Sequence, residues 1–300
     1  MLTRLLVAST FLLIGFQSAS SNASLIIQRN YTAGSAPTMA GGGDLTSIFN
    51  AAADWWELAY HDPNGNGSDF TLSIEYNWAA LSGGTLGVHS LQSEGGSPHR
   101  ETSALIRFDN DGSSSWFADA TPYENSEFGT YSEYFNDFGG GLLNSGRVFT
   151  GATGDAAGAY DLFTVALHEV GHALGLSSAN NAFVAENGDF DIDVTAGAWD
   201  GGYAGSVLHT RNGAHLGNAS DSIDNARYNK ASMYPYVSAS QRKYGSALDI
   251  LANAQISKWH NPNFNPQFSS NLVPEPGSIA VWSLICLGAI GCRNRRRPRG

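Results

Sequence analysis

Only two cysteines occur in the 300 residues, Cys286 and Cys292, and both lie within the last fifteen positions. The long stretch before them has no disulfide to rely on, so core packing or a bound ion must hold it together. Basic residues are scarce as well. Positions 24–272 hold 10 Lys+Arg against 26 Asp+Glu, a formal net charge of −16. That imbalance argues against nucleic-acid binding and against docking on anionic lipid, and it suits solubility and bound cations. No internal repeat is present, and no apolar run reaches the roughly 20 residues of a membrane-spanning helix.

Both ends read as addresses. Residues 1–23 pass from Arg4 through an apolar stretch at 5–16 to Ser21-Asn22-Ala23, which suits a signal peptide cut before Ser24. At the other end, Val273-Pro274-Glu275-Pro276-Gly277-Ser278 opens an apolar segment over 279–292. Arg293, Arg295, Arg296, Arg297 and Arg299 follow it. Arginines just past a hydrophobic run stay on the cytoplasmic side. This order over 273–300 resembles the PEP-CTERM sorting signal of Gram-negative bacteria. The resemblance implies an exosortase-type partner and delivery to the cell surface or extracellular matrix. It also implies contact with the membrane only through the C-terminal segment. An ordinary membrane anchor is the alternative at each end.

Between these ends one domain is expected over 24–258, followed by a linker at 259–272. Strands are expected at 24–31, 70–78, 85–91 and 103–108. Asp44 caps a helix reaching about Tyr60, with Leu45, Phe49, Ala52 and Trp56 at helical spacing. Residues 109–159 are rich in Gly, Ser and Asn and read as loop, with a short helix near 132–137. A last helix starts at Ser238 or Ser246 and runs to Ile256. The fold class is α+β.

His168-Glu169-Val170-Gly171-His172 matches H-E-x-x-H. Positions four apart share a helix face, so both imidazoles reach one ion, and Glu169 is set to contact a water held there. Asp161 supplies an N-cap, residues 162–167 an apolar face, and Gly175 a turn after the helix. Catalytic zinc takes three protein ligands. The extended form of the motif would place the third at position 178, where this chain has Ser178. The remaining candidates are His209, His215, Asp189, Asp191 and Asp193.

The string from His168 to Leu176, together with Ser232-Met233-Tyr234-Pro235, resembles the metzincin clan of zinc peptidases, and the Met-Tyr-Pro is similar to the matrixins. The resemblance covers roughly 155–256. It implies a twisted mixed sheet, a long active-site helix, and a zinc cleft between an N-terminal and a smaller C-terminal subdomain. It gives Met233 a structural place beneath the metal. In the leishmanolysin-like branch the third histidine is displaced toward the Met-turn, which makes His215 the match, with His209 or an acidic residue as alternatives. The implied activity is endopeptidase action on protein or peptide substrates, with Zn²⁺ on His168, His172 and His215 and Glu169 as general base. By analogy with the clan, a sheet strand such as 103–108 would hold extended substrate by edge pairing.

Two acidic segments are weighed for Ca²⁺. Asp62-Pro63-Asn64-Gly65-Asn66-Gly67 opens like a calcium loop but has Ser73 where the bidentate glutamate belongs, so it reads as a polar turn. Asp189-Phe190-Asp191-Ile192-Asp193 is either a calcium ligand set or a strand with an acidic outer face. The rival to an enzyme is a non-catalytic surface or matrix binding protein on a metal-stabilised peptidase fold. Glu169 argues against it, since a structural site has no use for that carboxylate.

Overall fold

In the computed structural model, residues 23–218 and 220–268 are described. The expected sorting tail, and all but the last residue of the expected export signal, lie outside the described residues. The chain begins with β1 (Leu25–Ala33), β2 (Met39–Ala40), α1 (Leu45–Ala59), β3 (Phe70–Ala79), β4 (Gly87–Gly95), β5 (Arg100–Asp109) and β6 (Trp116–Phe117). It continues through β7 (Phe128–Asp137), β8 (Leu142–Ala152), β9 (Tyr160–Asp161), α2 (Leu162–Ala173) and α3 (Asn181–Glu186). The remaining elements are β10 (Asp191–Asp193), β11 (Val207–Arg211), β12 (His215–Leu216), α4 (Ser222–Asn225), β13 (Arg242–Tyr244) and α5 (Ala247–Ser257). Sheets and a few helices make the protein α+β, as expected.

The main sheet has the order β1-β3-β5-β4, with β1, β3 and β5 parallel and β4 antiparallel at one edge. Residues 103–108 therefore sit inside the sheet between two neighbours, and the edges among the described residues are β1 and β4. Alternate residues of β3, Leu72, Ile74, Tyr76 and Trp78, are buried beneath α1. Phe49 stacks on Tyr76 with ring centroids 4.0 Å apart. Asp44 and Ser47 form the reciprocal cap that starts α1, satisfying two of the N–H groups a helix start leaves free. On its other side α1 meets α2, where Trp56 Nε1 donates to the Leu167 carbonyl at 2.9 Å.

Two large apolar clusters result, beside a small one of Phe117, Phe128, Ala156 and Ala159. One joins the sheet, α1 and α2; the other gathers Leu176, Leu208, Leu216, Met233 and much of α5. No helix among the described residues is long and apolar enough to cross a membrane.

Two expectations change. The short helix near 132–137 is instead part of β7, and 109–159 holds the antiparallel pair β7–β8 with β13 on its far side. The inner strand β8 is buried through Asn144, Ser145 and Arg147, polar residues whose sequence reads as loop. Side-chain partners make that burial tolerable: Ser145 Oγ accepts from Asn136, and Arg147 Nη1 donates to the Gly245 carbonyl. Likewise, 259–268 does not leave the domain as a linker. Trp259 Nε1 donates to the Leu174 carbonyl at 3.0 Å, and Asn263 N to that of Ala59 at 2.8 Å. The Arg100 guanidinium lies 4.2 Å from the Trp259 ring. Aromatic burial and backbone pairing hold this segment, which composition alone does not reveal.

A buried ionic knot fixes the start of α2. Asp161, the N-cap, accepts from Thr164 N and Oγ1 and from both Nε and Nη2 of Arg242. The same guanidinium reaches Asp119 at 2.8 Å, and all three side chains are essentially unexposed. Arg242→Met should leave two carboxylates buried without their counter-charge. The expected loss is about 3–5 kcal/mol of unfolding free energy, read from urea denaturation. A variant within about 1 kcal/mol of the parent would contradict this account of how the helix is anchored.

Candidate metal centre

Three histidines converge. His168 and His172 leave α2 one turn apart, and His215 arrives from β12. Their ring centroids are 4.6, 4.8 and 5.1 Å apart, and one nitrogen from each lies within 4.8 Å of the others. His209, the competing candidate, stands apart with its ring between the carboxylates of Asp191 at 3.8 Å and Asp224 at 3.6 Å. Asp189, Asp191 and Asp193 form a separate acidic group at the surface, with β10 paired to β11. The Asp62 segment folds as a turn closed on itself, with Asp62 Oδ1 accepting from Gly67 N and Asn64 donating to Ser68 and Asp69.

The tautomers of the two helix histidines follow from their partners. His168 Nδ1 lies 2.7 Å from the Ser232 carbonyl, and His172 Nδ1 is 2.5 Å from that of Leu176. A carbonyl oxygen only accepts, so each Nδ1 carries the proton and each Nε2 presents a lone pair. Those two Nε2 atoms face each other at 3.0 Å. Two lone pairs at that distance repel unless a cation lies between or beside them, so the site's own geometry fits a metal ion. Burial pushes His168 down to about 3 and His215 to about 4, and it lowers His172 as well. Neutral imidazole is the form that ligates.

Met233 explains the way the third histidine is placed. The Ser232 carbonyl accepts a hydrogen bond from His168 Nδ1–H, and the Met233 carbonyl accepts Leu216 N–H at 2.9 Å, next to His215. One turn therefore orients a helix ligand and the β12 strand together through its backbone. Its side chain fits because Gly171 has none: a Cβ there would stand 2.3 Å from the Met233 sulfur. The turn is pinned from below by Asp249, whose carboxylate accepts from Ser232 N, Met233 N and the N-cap Ser246. Lys243 clamps it from the side, donating through Nζ to the carbonyls of Asn229, Ala231 and Tyr236. Burial among neutral carbonyls brings that ammonium down to about 8.

Glu169 is buried beside the histidines, and desolvation raises its carboxyl to about 8 against the pull of the His89 amide, which donates to it. Gly87 makes room for it, since a Cβ at that position would come within 2.6 Å of Oε1. The cleft around these groups encloses about 620 Å³ and is walled by Gly83–Gly87 and His89 on one side and by Tyr234–Val237 on the other. Residues 45–187 match the matrixin family model, of the M10 peptidases. The match supports a metzincin-type metallopeptidase, a hydrolase of peptide bonds. It ends before His215 and Met233, so the cluster geometry carries that part of the site independently. No curated protein matches the chain.

Sequence reasoning missed Asp249, Lys243, His89 and Glu101. No spacing links them to the H-E-x-x-H helix: Asp249, Lys243 and His89 act through backbone groups, and Glu101 through the His89 ring, that only the folded chain brings near.

Proposed function

We propose that the protein is a zinc-dependent endopeptidase exported to the cell surface or matrix, with His168, His172 and His215 as metal ligands and Glu169 as general base. The observation that carries the reading is the pair of unprotonated Nε2 atoms 3.0 Å apart, with His215 closing the cluster. Bound zinc would supply Lewis acidity for a scissile carbonyl and lower the pKa of water toward about 7. Glu169 would take a proton from water in the cleft and return it to the leaving amine. The cleft separates a larger N-terminal lobe from a smaller C-terminal one, and extended substrate would align along the β4 edge. The acidic group at 189–193 is a candidate for calcium on its charge alone. Export rests on the ends of the sequence, and so does exosortase processing.

The full chain should cleave casein, lose that activity on addition of a chelator, and regain it with Zn²⁺. Chelation should also lower the melting temperature, because the ion binds only the folded state. Cleavage insensitive to chelator would overturn the zinc reading.

A further inference from the structure

The strand facing α2 across the cleft is β4, which has no neighbour on its outer side in its sheet. Outward N–H groups on such an edge are free for other partners. This edge runs against Glu169, since a Cβ on Gly87 would come within 2.6 Å of its Oε1, and the His89 amide faces the same carboxylate. The ring of the same residue turns inward, where Nε2 lies 2.8 Å from Glu101 Oε2 with both side chains buried. It also lies beside His172, with ring centroids 6.1 Å apart and planes at 27°.

Glu101 receives little else. Its Oε1 has no hydrogen-bond partner among the described residues. A buried carboxylate with one partner costs more than an apolar residue of the same volume would, so packing does not account for it. The backbone ladder pairs His89 with Ile106 and keeps its register from Gly87 to Leu91. The β4–β5 register slips between Leu91 and Ser93 and again between Ser93 and Glu94, just beyond His89. A bulge bends its strand and raises the local twist, and the bond between Glu101 and the His89 ring ties β4 to β5 just before that bend.

We propose that His89 and Glu101 are positioning residues for Glu169: the buried Glu101 locks the His89 ring, and the locked residue presents its amide to the catalytic carboxylate. The inference rests on the zinc-peptidase reading. Glu101 makes its contribution through His89 and does not touch substrate.

The test has two readouts. In the full chain labelled with ¹⁵N-histidine and kept metal-free, the His89 amide should be protected from exchange in the parent and in Glu101→Gln, which keeps an acceptor for the ring. Protection should be lost in Glu101→Leu. With zinc bound, Glu101→Leu and His89→Phe should lower kcat by about tenfold to a hundredfold, while KM and zinc content stay unchanged. Glu101→Gln should restore most of kcat. Parental kcat in either Glu101→Leu or His89→Phe overturns the proposal, and so does a matching loss of zinc or rise in KM. Should Glu101→Leu not fold, His89→Phe decides, since it keeps a ring in place but removes the bond to Glu101. A zinc-loaded parent without peptidase activity would defeat the functional reading and leave the amide result standing.

Discussion

Glu169→Gln should bind zinc as the parent does yet hydrolyse peptides about 10²–10⁴-fold more slowly, measured as kcat on a casein-derived peptide. The amide keeps the size and the acceptor of the carboxylate, so the fit against Gly87 and the bond from the His89 amide survive. What is lost is the ability to accept a proton. A pH experiment on the metal-free protein isolates the same group. Burial holds Glu169 protonated up to about 8, whereas the unfolded carboxylate titrates near 4.5. In the parent, the stability this group contributes is fully present below about pH 4.5 and is lost as pH rises toward about 8. Glutamine does not titrate, so Glu169→Gln should gain on the parent through that window and hold a constant lead above it. Equal denaturation midpoints at every pH would show that Glu169 is solvated rather than buried. Undiminished hydrolysis would remove it from the mechanism.

Much of the site was legible because it is local. H-E-x-x-H sets two ligands by helical periodicity alone, and Asp44, Asp161 and Ser246 all cap the helices their positions suggest. Regions governed by distant partners were not legible. The β7–β8 pair reads as loop because β8 buries polar residues whose partners, such as Gly245 for Arg147, are far along the chain. The segment 259–268 reads as linker because its hold comes from Leu174, Ala59 and Arg100. The edge strand was assigned to 103–108, and the sheet order moves it to β4. Lateral order in a sheet is a tertiary property, and alternation within one strand does not encode it.

The third ligand is where sequence left a choice, and His215→Ala should separate the alternatives most sharply. With His215 removed, zinc would keep only the two helix imidazoles, one short of the three protein ligands typical of a catalytic site. The variant should retain little zinc after dialysis, measured by atomic absorption, and its peptidase activity should fall with the metal. Loss of folding is not expected to be the cause. The ring is part-buried and its Nδ1 has no partner among the described residues, so truncation removes only a local bond to the Asn212 backbone, three residues away. The β12 backbone remains paired to β11 and to the Met233 carbonyl. His209→Ala is the matched control. Its ring is flanked by Asp191 and Asp224 and lies outside the cluster, so zinc content and kcat should stay at parental values. Full zinc in His215→Ala, with loss in His209→Ala, would make His209 the third ligand. The geometry argues the other way: the turn at Ser232 and Met233 holds both His168 and the strand of His215, so displacing that turn should disturb two ligands at once.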